Sequence, residues 1–274
     1  MLIKINLYRQ DHNSHTKKET KMKLFQASLI AVVIFFSTLS FAVPNNCKNL
    51  PDQGALQKAL LSARKISNGG FNLDMWATLV DRSGVVCAVA FTGEKVDSQW
   101  PGSRVISAQK ANTANAFSLS GLALSTANLY AAVQPGGSLY GLQASNPVNP
   151  AVAYQGGAQD FGSKRDPMVG SRIGGVNVFG GGLALYDRKG NLLGGVGVSG
   201  DSSCADHNIA WRTRHNLALD FVPAGVAPSK DDQIIFDMDA ATNKSAGGFG
   251  HANCAGTEKS IVSTLPKVGI VDKK

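Results

Sequence analysis

Charge and aromatic rings are scarce in this sequence. Asp, Glu, Lys and Arg make up 17% of its 274 residues, and Phe, Trp and Tyr only 7%. No run of Lys or Arg longer than two stands beyond residue 42. Residues 1–42 carry six basic and two acidic side chains, so without them the net charge falls from +8 to +4. Nucleic-acid binding rests on a basic stripe that neutralises phosphates, and that stripe is missing. Long charged or Pro/Ser-rich tracts are missing too, which argues against disorder. No apolar run reaches the ~20 residues of a membrane span. Histidine is limited to His207, His215 and His251 after residue 42. There is no C-x-x-C-H, so covalent attachment of a c-type haem is excluded.

Glycine is abundant, with 30 residues. At well above the usual ~7%, it points to tight turns and close backbone approaches. Near the start, Lys21-Met22-Lys23 precedes the apolar stretch Leu24 to Phe36, and Ser40-Phe41-Ala42 offers small residues around a cleavage point. That combination predicts a secretory signal peptide over 1–42 and mature protein beginning near Val43. Residues 1–21 form an upstream extension, with Met22 as an alternative start. The four cysteines, Cys47, Cys87, Cys204 and Cys254, all follow the cleavage point. An even count in an oxidising compartment suggests two disulfides, in any of three pairings.

The pattern beyond the leader reads as helix, hairpin, helix, loop, hairpin, helix. Asp52 to Ser67 has apolar Leu56, Leu60, Ala63 and Ile66 at helical spacing, with Asp52 as the cap. Two hairpins share one turn chemistry, Asp81-Arg82-Ser83-Gly84 and Asp187-Arg188-Lys189-Gly190. Helices are predicted over Arg104 to Leu119 and Ser202 to Asp220. Residues 134–182 are rich in Gly, Pro and Asn, and a loop of that length is usually functional. A further strand is predicted at Gln233 to Phe236. The alternation describes an α/β (α+β) domain, an antiparallel sheet with helices packed on it, over 43–221. Residues 222–274 form a polar tail docked on that domain.

VDRSGVVCAV (80–89), SAQKANTANAF (107–117), PGGSLYGL (135–142) and GGVGVSGDSSCADHNIA (194–210) together resemble the GlcG/HbpS family of haem-binding proteins. GFGHANC (248–254), paired with GDSSCADH (200–207), is similar to a longer exported branch. The resemblance implies a profilin-like fold, with a five-stranded antiparallel sheet flanked by helices. It also implies assembly into homo-oligomers and haem as the ligand. Fold transfers more safely than function in such comparisons.

Individual motifs sharpen or weaken this reading. Gly195-Val196-Gly197-Val198-Ser199-Gly200 fits G-x-G-x-x-G, but it closes a hairpin and no β-α alternation follows. Close helix–sheet packing explains these glycines better than a dinucleotide. Ser199 lacks the final Gly of a nucleophile elbow. Cys204-x-x-His207 and His251-x-x-Cys254 could hold zinc. Outside the cytosol a Cys204–Cys254 disulfide is preferred, leaving Cys47–Cys87 by elimination. A bond from Cys254 would anchor a Gly-rich tail with little apolar surface of its own.

His207, Trp211 and His215 recur every four residues, apart from Ile209, Thr213 and Leu217 on the expected core side. This stripe could face haem, with an imidazole as axial ligand. Arg104, Lys110 and Arg212 are candidate partners of its propionates. Thr113 and Tyr140 are further candidate contacts, and Tyr130 and Met168 weaker ones. The expected function is therefore exported haem capture, buffering or sensing. A non-haem small-molecule or accessory domain is the alternative, and a haem-degrading enzyme the third. No nucleophile or acid–base constellation stands out.

Overall fold

The structure is a computed structural model describing residues 47–254 and 256–272. The expected leader, 1–42, lies outside the described residues. Helix α1 spans Gln53–Arg64, and the Asp52 carboxylate accepts the Ala55 N–H at 2.9 Å. Leu56, Leu60 and Ala63 are buried, while Ile66 lies past the helix end and is half exposed. Strands β1 (Trp76–Asp81) and β2 (Val86–Phe91) pair antiparallel. Their turn is organised by Asp81, whose Oδ1 accepts the N–H groups of Ser83 and Val85. Strands β3 (Gly182–Tyr186) and β4 (Leu192–Ser199) form the second hairpin. Asp187 repeats the device, with Oδ1 accepting from Lys189 and Asn191. Gly84 and Gly190 both sit at positive φ, +79° and +73°, where an L side chain is strained.

One antiparallel sheet results, in the order β2-β1-β4-β3. This corrects the expected five strands to four among the described residues. The segment expected as a strand at 233–236 never reaches the sheet. Its Ile234 N–H donates to His207 Nε2, and its Ile235 carbonyl accepts the His251 N–H. Its ladder groups are thus used by a helix side chain and by the tail. Met238–Asp239 and Lys244–Ser245 form a separate two-stranded ribbon.

Helix α2 (Ser103–Phe117) covers one face of the sheet; α1 and α3 (Ser203–Asn216) cover the other. The alternation in β1 shows the division. Trp76, Thr78 and Val80 point towards α2, and Ala77 and Leu79 towards α1 and α3. Gly195 and Gly197 let α2 rest on β4. A Cβ there would lie 2.3 Å from the Ala111 carbonyl oxygen and 2.0 Å from that of Ser107. The dinucleotide-like run is therefore a packing surface.

Long irregular stretches are fixed by buried side chains. Arg104 donates to both carboxylate oxygens of Asp166 and to the Ala153 carbonyl, and its guanidinium lies 3.7 Å over the Phe161 ring. Met168 and Ile173 from the same stretch complete the core beside α2. The C-terminal segment is tied to α3. Cys204 is bonded to Cys254, Arg214 pairs with Asp232 at 2.7 Å, and the Trp211 N–H donates to the Pro266 carbonyl. Cys47 is bonded to Cys87, joining the start of the described chain to β2. Among the described residues no helix is long and apolar enough to cross a membrane.

Candidate functional site

A cavity of about 470 Å³ opens where the N-terminal ends of α2 and α3 meet the end of β4. Trp100, Ile106 and Phe179 supply its apolar wall, and Lys110 and Asp206 lie among its polar lining residues. Trp100 is about half exposed and meets Phe71 edge-on, with ring centroids 6.3 Å apart. Phe71 is held through its backbone, because the Asp201 carboxylate accepts the N–H groups of Phe71, Leu73 and Ser202. Asp201 thus fixes both an aromatic rim and the start of α3.

Lys110 comes from the middle of α2 and Asp206 from the first turn of α3. Their side chains are almost fully buried, and Nζ lies 2.6 Å from Oδ2. Nζ also donates to the Val198 carbonyl at 3.2 Å, and Asp206 Oδ1 accepts the Asp201 N–H at 2.9 Å. Burial pushes the Asp206 carboxyl up to about 6, against the pull of the Lys110 ammonium.

The other sequence candidates are dispersed. Arg104 is spent on Asp166. The Thr113 hydroxyl donates to the Gln109 carbonyl and accepts the Asn177 N–H. Tyr140 is exposed and does not line the cavity. Arg212 donates to Asn68. Met168 is in the core, and the Tyr130 ring lies tilted against His251, with centroids 4.7 Å apart.

The His/Trp stripe stays together only in part, with the His207 and Trp211 ring centroids 6.0 Å apart and His215 lying away at the surface. Trp211 is buried beneath the tail, and His215 is half exposed with Nδ1 2.7 Å from Asp220. His207 is fully buried. Its Nε2 accepts the Ile234 N–H, its Nδ1 has no hydrogen-bond partner, and burial holds its pKa well below the usual value. His251 accepts the Gly180 N–H through Nε2 and donates from Nδ1 to Ala252, and burial lowers its pKa to about 4. Both imidazoles are neutral at physiological pH. The sulfurs of Cys204 and Cys254 are joined to each other and cannot act as thiolate ligands. The one group of three potential metal ligands gathered within 4.8 Å among the described residues is Cys47, Asp81 and Cys87, whose sulfurs are likewise joined.

Trp100, Phe179 and Asp206 carry the cavity without having been marked as site residues. Asp206 stood in a quoted motif, and Trp100 lies three residues before the start of α2. Phe179 had no sequence signal. A larger, open cleft of about 790 Å³ lies between α1 and residues 158–165, lined by Gln53, Gln57, Phe91 and Phe161. Its charged groups are surface ones, such as Arg165 with Asp160.

Residues 53–214, more than half of the chain, match the family model described as haem degrading protein HbpS-like. The chain belongs to the HbpS-like family. All residues lining the smaller cavity fall inside the match, and the C-terminal segment from 222 lies beyond it. Among solved structures, a PduOC:heme complex is 24% identical, with a TM-score of 0.41 over 60% of this chain and 89% of that one. The Klebsiella pneumoniae protein ORFY is 25% identical, with a TM-score of 0.40 over 60% and 87%. HbpS itself is 16% identical, with a TM-score of 0.35 over 66% and 94%. No curated protein matches the chain.

Proposed function

We propose that this HbpS-like chain is an exported haem-binding protein that captures, buffers or senses haem, and that the Trp100–Phe179 cavity receives the porphyrin. The observation carrying this reading is the family match, which spans every residue of that cavity. The lining suits part of the ligand well. Trp100, Ile106 and Phe179 offer apolar surface to a flat ring, and Lys110 offers a cation to a propionate. Bound haem would supply iron-centred chemistry. The chain's own groups would position the ring, exclude water from one face and neutralise one carboxylate.

The axial ligand is the weaker part of the fit. Haem proteins commonly use His, Cys, Met or Tyr, and none of these lines the cavity. This favours a second reading, a non-haem small molecule with an apolar body and an acidic group. His207 as axial ligand requires the tail around Ile234 to move, whereas His215 is already half exposed. Disulfides Cys47–Cys87 and Cys204–Cys254 agree with an exported life. Assembly into homo-oligomers belongs to the same proposal.

Haemin titration separates these readings. A Soret shift saturating at one haemin per chain supports haem binding, and an unchanged spectrum supports the second reading. His207→Ala or His215→Ala altering the band would identify the ligand. Loss of the band on adding a reductant, with release of iron, would add degradation to binding.

A further inference from the structure

We propose that the cavity takes its ligand carboxylate-first onto Lys110, and that Asp206 takes up one proton from solvent as the ligand binds. This rests on the reading of the cavity as the ligand site and goes beyond it by specifying the acid group and the proton linkage.

The geometry leads there in three steps. Among the described residues Lys110 is the one cationic residue lining the cavity, so an acidic group entering it has one counter-ion to find. That ammonium is already 2.6 Å from the Asp206 carboxylate, and both side chains are almost fully buried. Two carboxylates cannot both stay ionised around one ammonium out of water, because like charges in a desolvated site raise each other's pKa.

The protein's own acid is the one prepared to take the proton. Burial already holds it at about 6, so little further repulsion is needed to neutralise it near neutral pH. A protonated Asp206 would still accept the Asp201 N–H through its carbonyl oxygen. The other groups facing the pair cannot substitute. Asp201 adds negative charge from the end of β4, and it is held by three backbone N–H groups. His207 on α3 and His251 on the tail are buried and neutral, with pKa values lowered by burial. The N-terminal end of α3 opens onto the same cavity through Ser203, and its dipole favours an incoming anion.

The test uses metal-free protoporphyrin IX, which removes axial ligation from the question, and its dimethyl ester, which lacks the acid. Binding of each to the intact protein is followed by fluorescence between pH 6.5 and 8.5. For the diacid we expect affinity to fall as pH rises, approaching tenfold per pH unit, the slope of one linked proton, and levelling off where Asp206 in the complex itself ionises. The ester should show no slope. Asp206→Asn, which cannot ionise, should bind the diacid tightly with no slope, and calorimetry of the wild type in two buffers should report about one proton taken up. Equal, pH-independent binding of both probes would overturn the linkage while leaving the porphyrin site intact. Binding of neither would overturn the site and the inference together. Because the acid-against-ester comparison uses the unaltered protein, a misfolded variant does not decide the outcome.

Discussion

His207 on α3 and His251 on the C-terminal segment are buried, neutral imidazoles, and Asp206 is a carboxyl raised by burial. Their effects on stability have opposite signs. An imidazole with a lowered folded pKa takes a proton more readily when unfolded, so its contribution is present above about 6.5 and is lost as pH falls. Asp206 binds its proton more tightly when folded, so between about 6 and the ordinary carboxyl value stability rises as pH falls. Two imidazoles outweigh one carboxyl. We predict a net loss of stability between pH 7.5 and 5, with about 2 kcal/mol from His251 at the lower pH and a further loss of the same sign from His207. Urea midpoints across that range would show it. His251→Gln should flatten the profile, and Asp206→Asn should steepen the loss. A flat profile would contradict the buried, neutral assignment. At this scale the sequence was only partly legible. Lys110 could be singled out as a charge on a helix, but its partner lies on another helix 96 residues away. The His/Trp stripe was read as outside the core because helical spacing cannot reveal what the tail covers.

Among the elements, the contact of α2 with β4 is the tightest constraint on the cavity, since α2 carries Lys110 and β4 leads to Asp201. Gly197→Ala would put a methyl carbon 2.0 Å from the Ser107 carbonyl oxygen and 2.4 Å from the Ala111 nitrogen. Backbone on both sides cannot yield locally, so α2 must shift. We expect a loss of about 3 kcal/mol, at the upper end of overpacking costs, seen as a lower Tm. Gly121→Ala, with nothing within 4 Å, serves as the control and should be near neutral. Equal Tm values would contradict the close approach. The helices and both hairpins were readable because their signals are local. Capping by Asp52 and the two Asp-x-x-Gly turns each act within four residues. The expected strand at 233–236 failed for the converse reason. Its apolar residues satisfy a strand pattern, but its partners are His207 and the 251 backbone rather than a sheet edge.

At the level of the whole molecule, the C-terminal segment is held by one disulfide, by buried polar contacts and by apolar side chains such as Ile234 and Leu265 that enter the core. The Cys204–Cys254 bond spans 50 residues. Removing it by a double Cys→Ala change should cost roughly 4 kcal/mol in the chain-entropy account. Denaturation of the variant measures the cost, and non-reduced peptide mapping checks the pairing. Finding Cys47 joined to Cys254 would contradict this arrangement. The pairing was readable because a Gly-rich tail needs an anchor, whereas the tail's course over His207 and Trp211 had no sequence signal.

We place the ligand between Trp100 and Phe179, above Lys110. A crystal structure of the protein grown with haemin would then show porphyrin density against Trp100, Ile106 and Phe179 with one propionate at Lys110. Density in the cleft beside Phe161, or iron on His207 with the tail displaced, would contradict it.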